Sequence, residues 1–186
     1  MKLFALGDLH LGFRANREAL PAWRARPDDW LILAGDVGET FAHVELGLRA
    51  ATERFARVFW VPGNHELWSH RADGPRGVAK YEATIALCRR IGVVTPEDPY
   101  VIWPGESPCV IAPVVVLYDY SFRPAPVAAG DAVNNHDGIR HDVSKPLLYR
   151  TLAVPEFEAR LGQVRALLAG VEREGAVILV VAKALD

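Results

Sequence analysis

The chain has 186 residues, 51% hydrophobic and 24% charged, with a formal net charge of −2. That length suits one domain with a real core, and a near-neutral balance with no Lys/Arg run gives no electrostatic footing for nucleic acid or an anionic membrane. The apolar start is too short for a signal-peptide core and no stretch approaches the ~20 apolar residues of a membrane span, so the expected compartment is the cytoplasm.

Residues 3–6 read as a strand that runs into Gly7-Asp8-Leu9-His10. Residues 16–26 are expected as a short helix broken by Pro21, followed by a polar Arg26-Pro27-Asp28-Asp29 turn. Residues 31–34 form a continuous apolar run, as in a strand buried on both faces, and stop at Gly35-Asp36. From Thr40, a predicted N-cap, Phe41, Val44, Leu48, Ala51 and Phe55 fall on one helical face. A third strand over 58–61 runs into Pro62-Gly63-Asn64-His65-Glu66. The spacing of Tyr81, Ile85 and Cys88 predicts a helix over 78–90, with Gly92 as its left-handed cap.

Beyond this βαβαβα order the pattern changes. Residues 93–94, 100–103 and 109–117 read as strands joined by Pro- and Gly-containing turns, which predicts a mixed sheet or a second one. Residues 121–146 read as a long loop, functional or disordered, and Pro155 opens a helix whose face holds Phe157, Leu161, Val164, Leu168 and Val171. Residues 176–182 form a last strand, apolar on both faces like a central one, so homo-oligomerisation through it is expected. Cys88 and Cys109 lack metal or redox spacing and are expected as buried free thiols. With no internal repeat, residues 1–186 are expected to form a single domain.

The chemistry gathers where the strands end. Ligand sites in open α/β sheets form beyond the carboxyl ends of the strands, so Asp8, His10, Asp36, Asn64 and His65 are expected to converge. Side chains at i and i+2 of an extended tip share a side, which lets Asp8 and His10 grip one ion. Carboxylate with imidazole suits Mn²⁺, Fe or Zn²⁺ better than Ca²⁺. Asp36 has two oxygens and can bridge to a second ion, to which Asn64 adds a neutral oxygen. Two metals ~3.5–4 Å apart clamp a phosphoryl group for in-line attack by a metal-bound hydroxide. His65 can then protonate the leaving oxygen, with Glu66 orienting its ring. A Gly-Asp after a strand is commonly just a turn with a capping carboxylate; here three strands each end in a suitable ligand type.

Gly7-Asp8-Leu9-His10, Gly35-Asp36-Val37-Gly38-Glu39 and Gly63-Asn64-His65-Glu66 resemble, in order and spacing, the first three signature blocks of the calcineurin-like metallophosphoesterases. The similarity is close over residues 1–68 and looser beyond. It implies a two-sheet mixed α/β sandwich and a dinuclear site that hydrolyses phosphate mono- or diesters. By position it implies Asp8, His10 and Asp36 on the first metal, Asp36 and Asn64 on the second, and His65 with Asn64 in the catalytic role. The family also has a histidine after a later strand and then a Gly-His-x-His block. Here Ala182-Lys183 stand at the first place and no Gly-His-x-His occurs. The chain therefore reads as a C-terminally incomplete form of the fold, expected to hold one ion rather than the family's two.

Outside these blocks, Arg123 is the candidate for substrate binding through its planar fork, beside Tyr118-Asp119-Tyr120; a structural turn packed with aromatics competes with that role. His136, His141, Asp137 and Asp142 are expected as a solvated loop, Arg71, Arg76 and Lys80 as surface cations, and Trp60 and Trp68 as packing at the edges of the site. The expected function is metal-dependent hydrolysis of a phosphorylated substrate. The alternative is a non-catalytic remnant that keeps the fold and one metal and binds a partner. A third reading, a nucleotide-binding module of Rossmann type, is weak, because the first strand lacks a G-x-G-x-x-G turn.

Overall fold

The computed structural model describes residues 1–67, 75, 78–115 and 166, and the backbone of 177–181. Its elements are β1 (Leu3–Leu6), α1 (Arg14–Ala19) with a 3-10 turn at Leu20–Ala22, β2 (Arg26–Ala34), α2 (Phe41–Thr52), β3 (Phe55–Val61), α3 (Asn64–Leu67), α4 (Val78–Ile91), β4 (Val93–Val94), β5 (Val101–Trp103), β6 (Cys109–Pro113) and β7 (Val177–Val181).

Two sheets result. The first is parallel, in the order β1-β2-β3-β4, with Leu6 opposite Leu33 and Ala34 opposite Val61. Strand alternation splits its side chains between two cores. Leu31, Leu33, Val58 and Trp60 face the helices, meeting Val44, Leu48 and Ala51 of α2 and Tyr81, Ile85 and Cys88 of α4. Trp30, Ile32, Phe59 and Val61 face the other way, against Ile111 of β6 and the partly buried Val101, Trp103 and Cys109. The second sheet has the order β5-β6-β7, antiparallel then parallel, so the expected change of pattern is a second, mixed sheet packed on the first. Strand β7 is last in that order among the described residues.

Thr40 caps α2, its side chain accepting from the His43 N–H at 3.2 Å, and Gly92 takes the left-handed conformation after α4. Other boundaries move. The Arg26-Pro27-Asp28-Asp29 stretch belongs to β2 rather than to a turn, and a register shift between Arg26 and Trp30 accommodates the proline, which has no ladder N–H. Asp29 accepts from the Lys2 N–H at 2.7 Å, tying that stretch to the start of β1. Phe55 opens β3 instead of ending α2, and its ring packs edge-on to Phe4. The first helix begins at Arg14, earlier than expected. Strand β6 ends at Pro113. The expected loop over 121–146 and the Pro155 helix, except residue 166, lie outside the described residues.

Both cysteines are free, Cys88 buried and Cys109 partly so. Burial pushes the Cys88 thiol up to about 12, with the charge of Asp98 adding to the shift. Iodoacetamide at pH 8 is therefore expected to label Cys109 first and to reach Cys88 only on unfolding; peptide mapping of the alkylated chain checks this, and early labelling of Cys88 contradicts it.

Candidate metal centre

The strand ends are joined beyond their last residues. The N–H groups of Asp8, His10 and Leu11 donate to the carbonyls of Gly35, Asp36 and Val37 at 3.1, 2.8 and 2.9 Å. The backbone there is not extended: Asp8, His10 and Asp36 have φ of 57, 42 and 56°. Non-glycine residues in the left-handed region carry strain that the surroundings must hold, and such residues cluster at functional sites. The expected extended geometry of the Asp8-x-His10 tip is thus replaced by two left-handed residues. Their side chains meet nonetheless, with Asp8 Oδ1 3.6 Å from His10 Nε2.

The tips of β2 and β3 are locked by reciprocal side-chain bonds. The Asp36 carboxylate accepts from the His65 N–H at 3.2 Å. In return, Glu66 Oε2 accepts from the N–H groups of Asp36 at 3.0 Å and Gly63 at 2.8 Å, and Oε1 accepts from that of Val37. Gly63 has no alternative here, because a Cβ would stand 2.1 Å from Asp36 Oδ1. Burial pushes the Glu66 carboxyl up to about 7 and Asp36 adds to the shift, while the N–H donors, Gly63 and Val37 among them, pull it down. Glu66 therefore does not orient His65. The carboxylate beside that ring is Glu39, Oε1 lying 3.3 Å from His65 Nδ1.

One donor atom from each of His10, Asp36 and His65 lies within 4.8 Å of the other two, and the two imidazole rings stand 4.5 Å apart at 71°. Asp36 and Glu66 are 4% and 2% exposed, so acidic groups crowd a buried place where a cation relieves their repulsion. Imidazole and carboxylate donors in that setting fit a divalent transition metal. The structure thus brings together His10, Asp36 and His65, with Asp8 against His10 and Asn64 buried at the start of α3. The substrate candidate Arg123 lies outside the described residues, as do Arg71, Arg76, Trp68, His136, His141 and residues 182–186.

Glu39 is three positions past Asp36 in the Gly35–Glu39 block, so spacing could have flagged it. Lys80 gave no such signal. Expected as a surface cation, it is 3% exposed and donates from Nζ to the Glu39 carbonyl at 2.7 Å, bracing the loop that carries the partner of His65. Trp60 is wholly buried in the helix-facing core rather than at the edge of the site.

Family comparison agrees with this geometry: the calcineurin-like phosphoesterase profile matches residues 1–110. The chain belongs to the calcineurin-like phosphoesterase family. It is 44% identical over 126 residues to the [acyl-carrier-protein] phosphodiesterase PptH of Mycobacterium tuberculosis, a stretch that covers 66% of this chain and 39% of the relative. The chain thus spans about two fifths of the length of that curated relative. It is also similar to the crystal structure of phosphopantetheinyl hydrolase (PptH) from Mycobacterium tuberculosis, with a TM-score of 0.79 and 34% identity, covering 97% of this chain and 67% of the other. No helix among the described residues is long and apolar enough to cross a membrane.

Proposed function

We propose that this chain, as one domain over residues 1–186 and with the cytoplasm as its compartment, is a metal-dependent phosphodiesterase that releases the phosphopantetheinyl group from acyl-carrier protein. The observation that carries the chemistry is the convergence of His10, Asp36 and His65 donor atoms within 4.8 Å beyond the strand ends. Similarity to PptH supports this choice of substrate.

Asp8, His10 and Asp36 would hold the ion, which by donor type would be manganese, iron or zinc. A bound ion would polarise the phosphate and lower the pKa of the attacking water. The ends of β1, β2 and β3 fix the donors, and the carboxylate–imidazole pair of Glu39 and His65 handles the proton. With Nδ1–H donated to Glu39, His65 Nε2 is the nitrogen left to pass a proton to the leaving oxygen of the ester. Asn64 contributes a neutral oxygen donor beside it. A second metal position draws on Asp36 and Asn64, and the chain has no Gly-His-x-His segment to complete it. Elemental analysis after dialysis against excess Mn²⁺ is expected to find one tightly held ion per chain; two would overturn the single-ion assignment.

Holding His65 outside the ligand set has its own consequence. His65→Ala is expected to keep metal content nearly intact while slowing turnover by ~10²–10⁴, least for substrates with acidic leaving groups. Loss of the ion from this variant would make His65 a ligand, as its proximity to His10 and Asp36 allows.

The function itself is tested by incubating the Mn²⁺-loaded chain with phosphopantetheinylated acyl-carrier protein and following the mass of the carrier. Loss of the phosphopantetheine mass, abolished by EDTA, is expected. An unchanged carrier mass with metal shown to be bound would overturn the assignment.

A further inference from the structure

Phe13 is 65% exposed, the highest exposure among the large hydrophobic side chains described. Its ring stands edge-on to the imidazole of His10, centroids 6.4 Å apart at 79°. Leaving a phenyl ring in water forgoes its burial energy, and isolated cases are ordinary on protein surfaces. Two features set this one apart.

The first is rigidity. Every carbonyl from Leu9 to Phe13 has a donor: Asn16 Nδ2 reaches Leu9 at 2.8 Å and His10 at 3.3 Å, the Phe13 N–H reaches His10 at 2.9 Å, Arg17 Nη1 reaches Leu11 at 2.5 Å and Gly12 at 2.8 Å, and the Arg17 N–H reaches Phe13 at 3.3 Å. The same bonds hold the left-handed His10, so ring and metal ligand ride on one braced tip. The second is local misfit. Phe13 occupies the N-cap of α1 without a side-chain cap bond, where Ser, Thr, Asp or Asn would stabilise the helix. An apolar residue that stays largely exposed and makes no side-chain cap bond, yet is held in place beside the reacting centre, is placed for a ligand.

Resting on the phosphodiesterase assignment above, we infer that Phe13 is the apolar wall that receives the pantetheine arm of the substrate. In that arm the carbon next to the ester methylene bears geminal methyl groups. A ring one imidazole removed from the phosphate site therefore meets the apolar part of the arm first, before its amides. Phe13 acts on substrate choice and leaves the proton and metal steps to His65 and the ligand set.

The test compares the parent with Phe13→Ala and Phe13→Leu, using phosphopantetheinylated acyl-carrier protein as substrate and inorganic phosphate as inhibitor. Losing the methyl contacts is expected to raise KM about tenfold in Phe13→Ala, with kcat within about twofold. Phe13→Leu should recover most of the loss. Inhibition by phosphate, which has no arm, should be unchanged. An unchanged KM in Phe13→Ala overturns the wall while leaving the phosphodiesterase assignment standing, and a parallel loss of phosphate inhibition overturns it in favour of a distorted metal site. A parent that turns over no phosphopantetheinyl carrier overturns both.

Discussion

Asp36→Asn is expected to weaken Mn²⁺ binding by roughly a hundredfold or more, because it removes a full negative charge from a buried position at the proposed metal site. Asn64→Ala, which removes a neutral donor, should cost about tenfold or less. Fold is not the reason for the difference. Asparagine retains an oxygen that can accept from the His65 N–H as Asp36 Oδ1 does at 3.2 Å, and it relieves the repulsion between Asp36 and Glu66. The metal-free variant should therefore melt close to the parent. Isothermal titration with Mn²⁺ and thermal melts of the metal-free chains separate the two effects; equal Mn²⁺ affinities for Asp36→Asn and the parent would remove Asp36 from the ligand set.

The second large effect belongs to a residue outside the ligand set. Glu66→Ala leaves the N–H groups of Asp36, Val37 and Gly63 without their acceptor in a place from which water is excluded. Each such loss costs ~1–3 kcal/mol; because the three bonds act as a unit the costs do not simply add, and a total of about 3 kcal/mol is expected. Asp36, at φ 56°, would lose part of what keeps it in the left-handed region, so Mn²⁺ affinity should fall as well. Glu66→Gln should be intermediate: its oxygen can replace Oε2, which serves Asp36 and Gly63, but its amide then faces the Val37 N–H. Urea midpoints and hydrogen exchange at these amides report the result. Ile85→Ala, in the helix-facing core and away from the strand ends, should lose comparable stability with Mn²⁺ affinity intact. An unchanged midpoint and unchanged amide protection in Glu66→Ala would show that the bridge between the tips of β2 and β3 carries no energy.

Glu66 also shows where legibility stops. As the residue after His65 it is read most naturally as a helper of its neighbour, because adjacency is what a sequence displays. Its carboxylate in fact turns to backbone 29 and 30 residues earlier. Lys80 reads as a solvated cation by residue type, yet it is buried against the Glu39 carbonyl, 41 residues away in the chain. Phe55 continues the helical period of α2 by coincidence; pairing of β3 with β2 overrides it, in a parallel ladder that puts Phe55 opposite Arg26.

What the amino-acid order determined by itself were the features that depend on a residue's own neighbours. The apolar run in β2 could be satisfied only by burial on both faces, Thr40 and Gly92 had the chemistry to begin and end helices, and each of the first three strands had to deliver a polar residue to its carboxyl end. Those local constraints sufficed to place Asp8, His10, Asp36, Asn64 and His65 at one end of a parallel sheet, and the three blocks that hold them carried the resemblance to the family. Only the tertiary structure decided the left-handed backbone of Asp8, His10 and Asp36, the pairing of His65 with Glu39, the bridge from Glu66 and the exposure of Phe13 beside His10. Each of these is a relation between segments brought together by sheet pairing and core packing, and periodicity records whether a side chain is buried, not which distant backbone it meets.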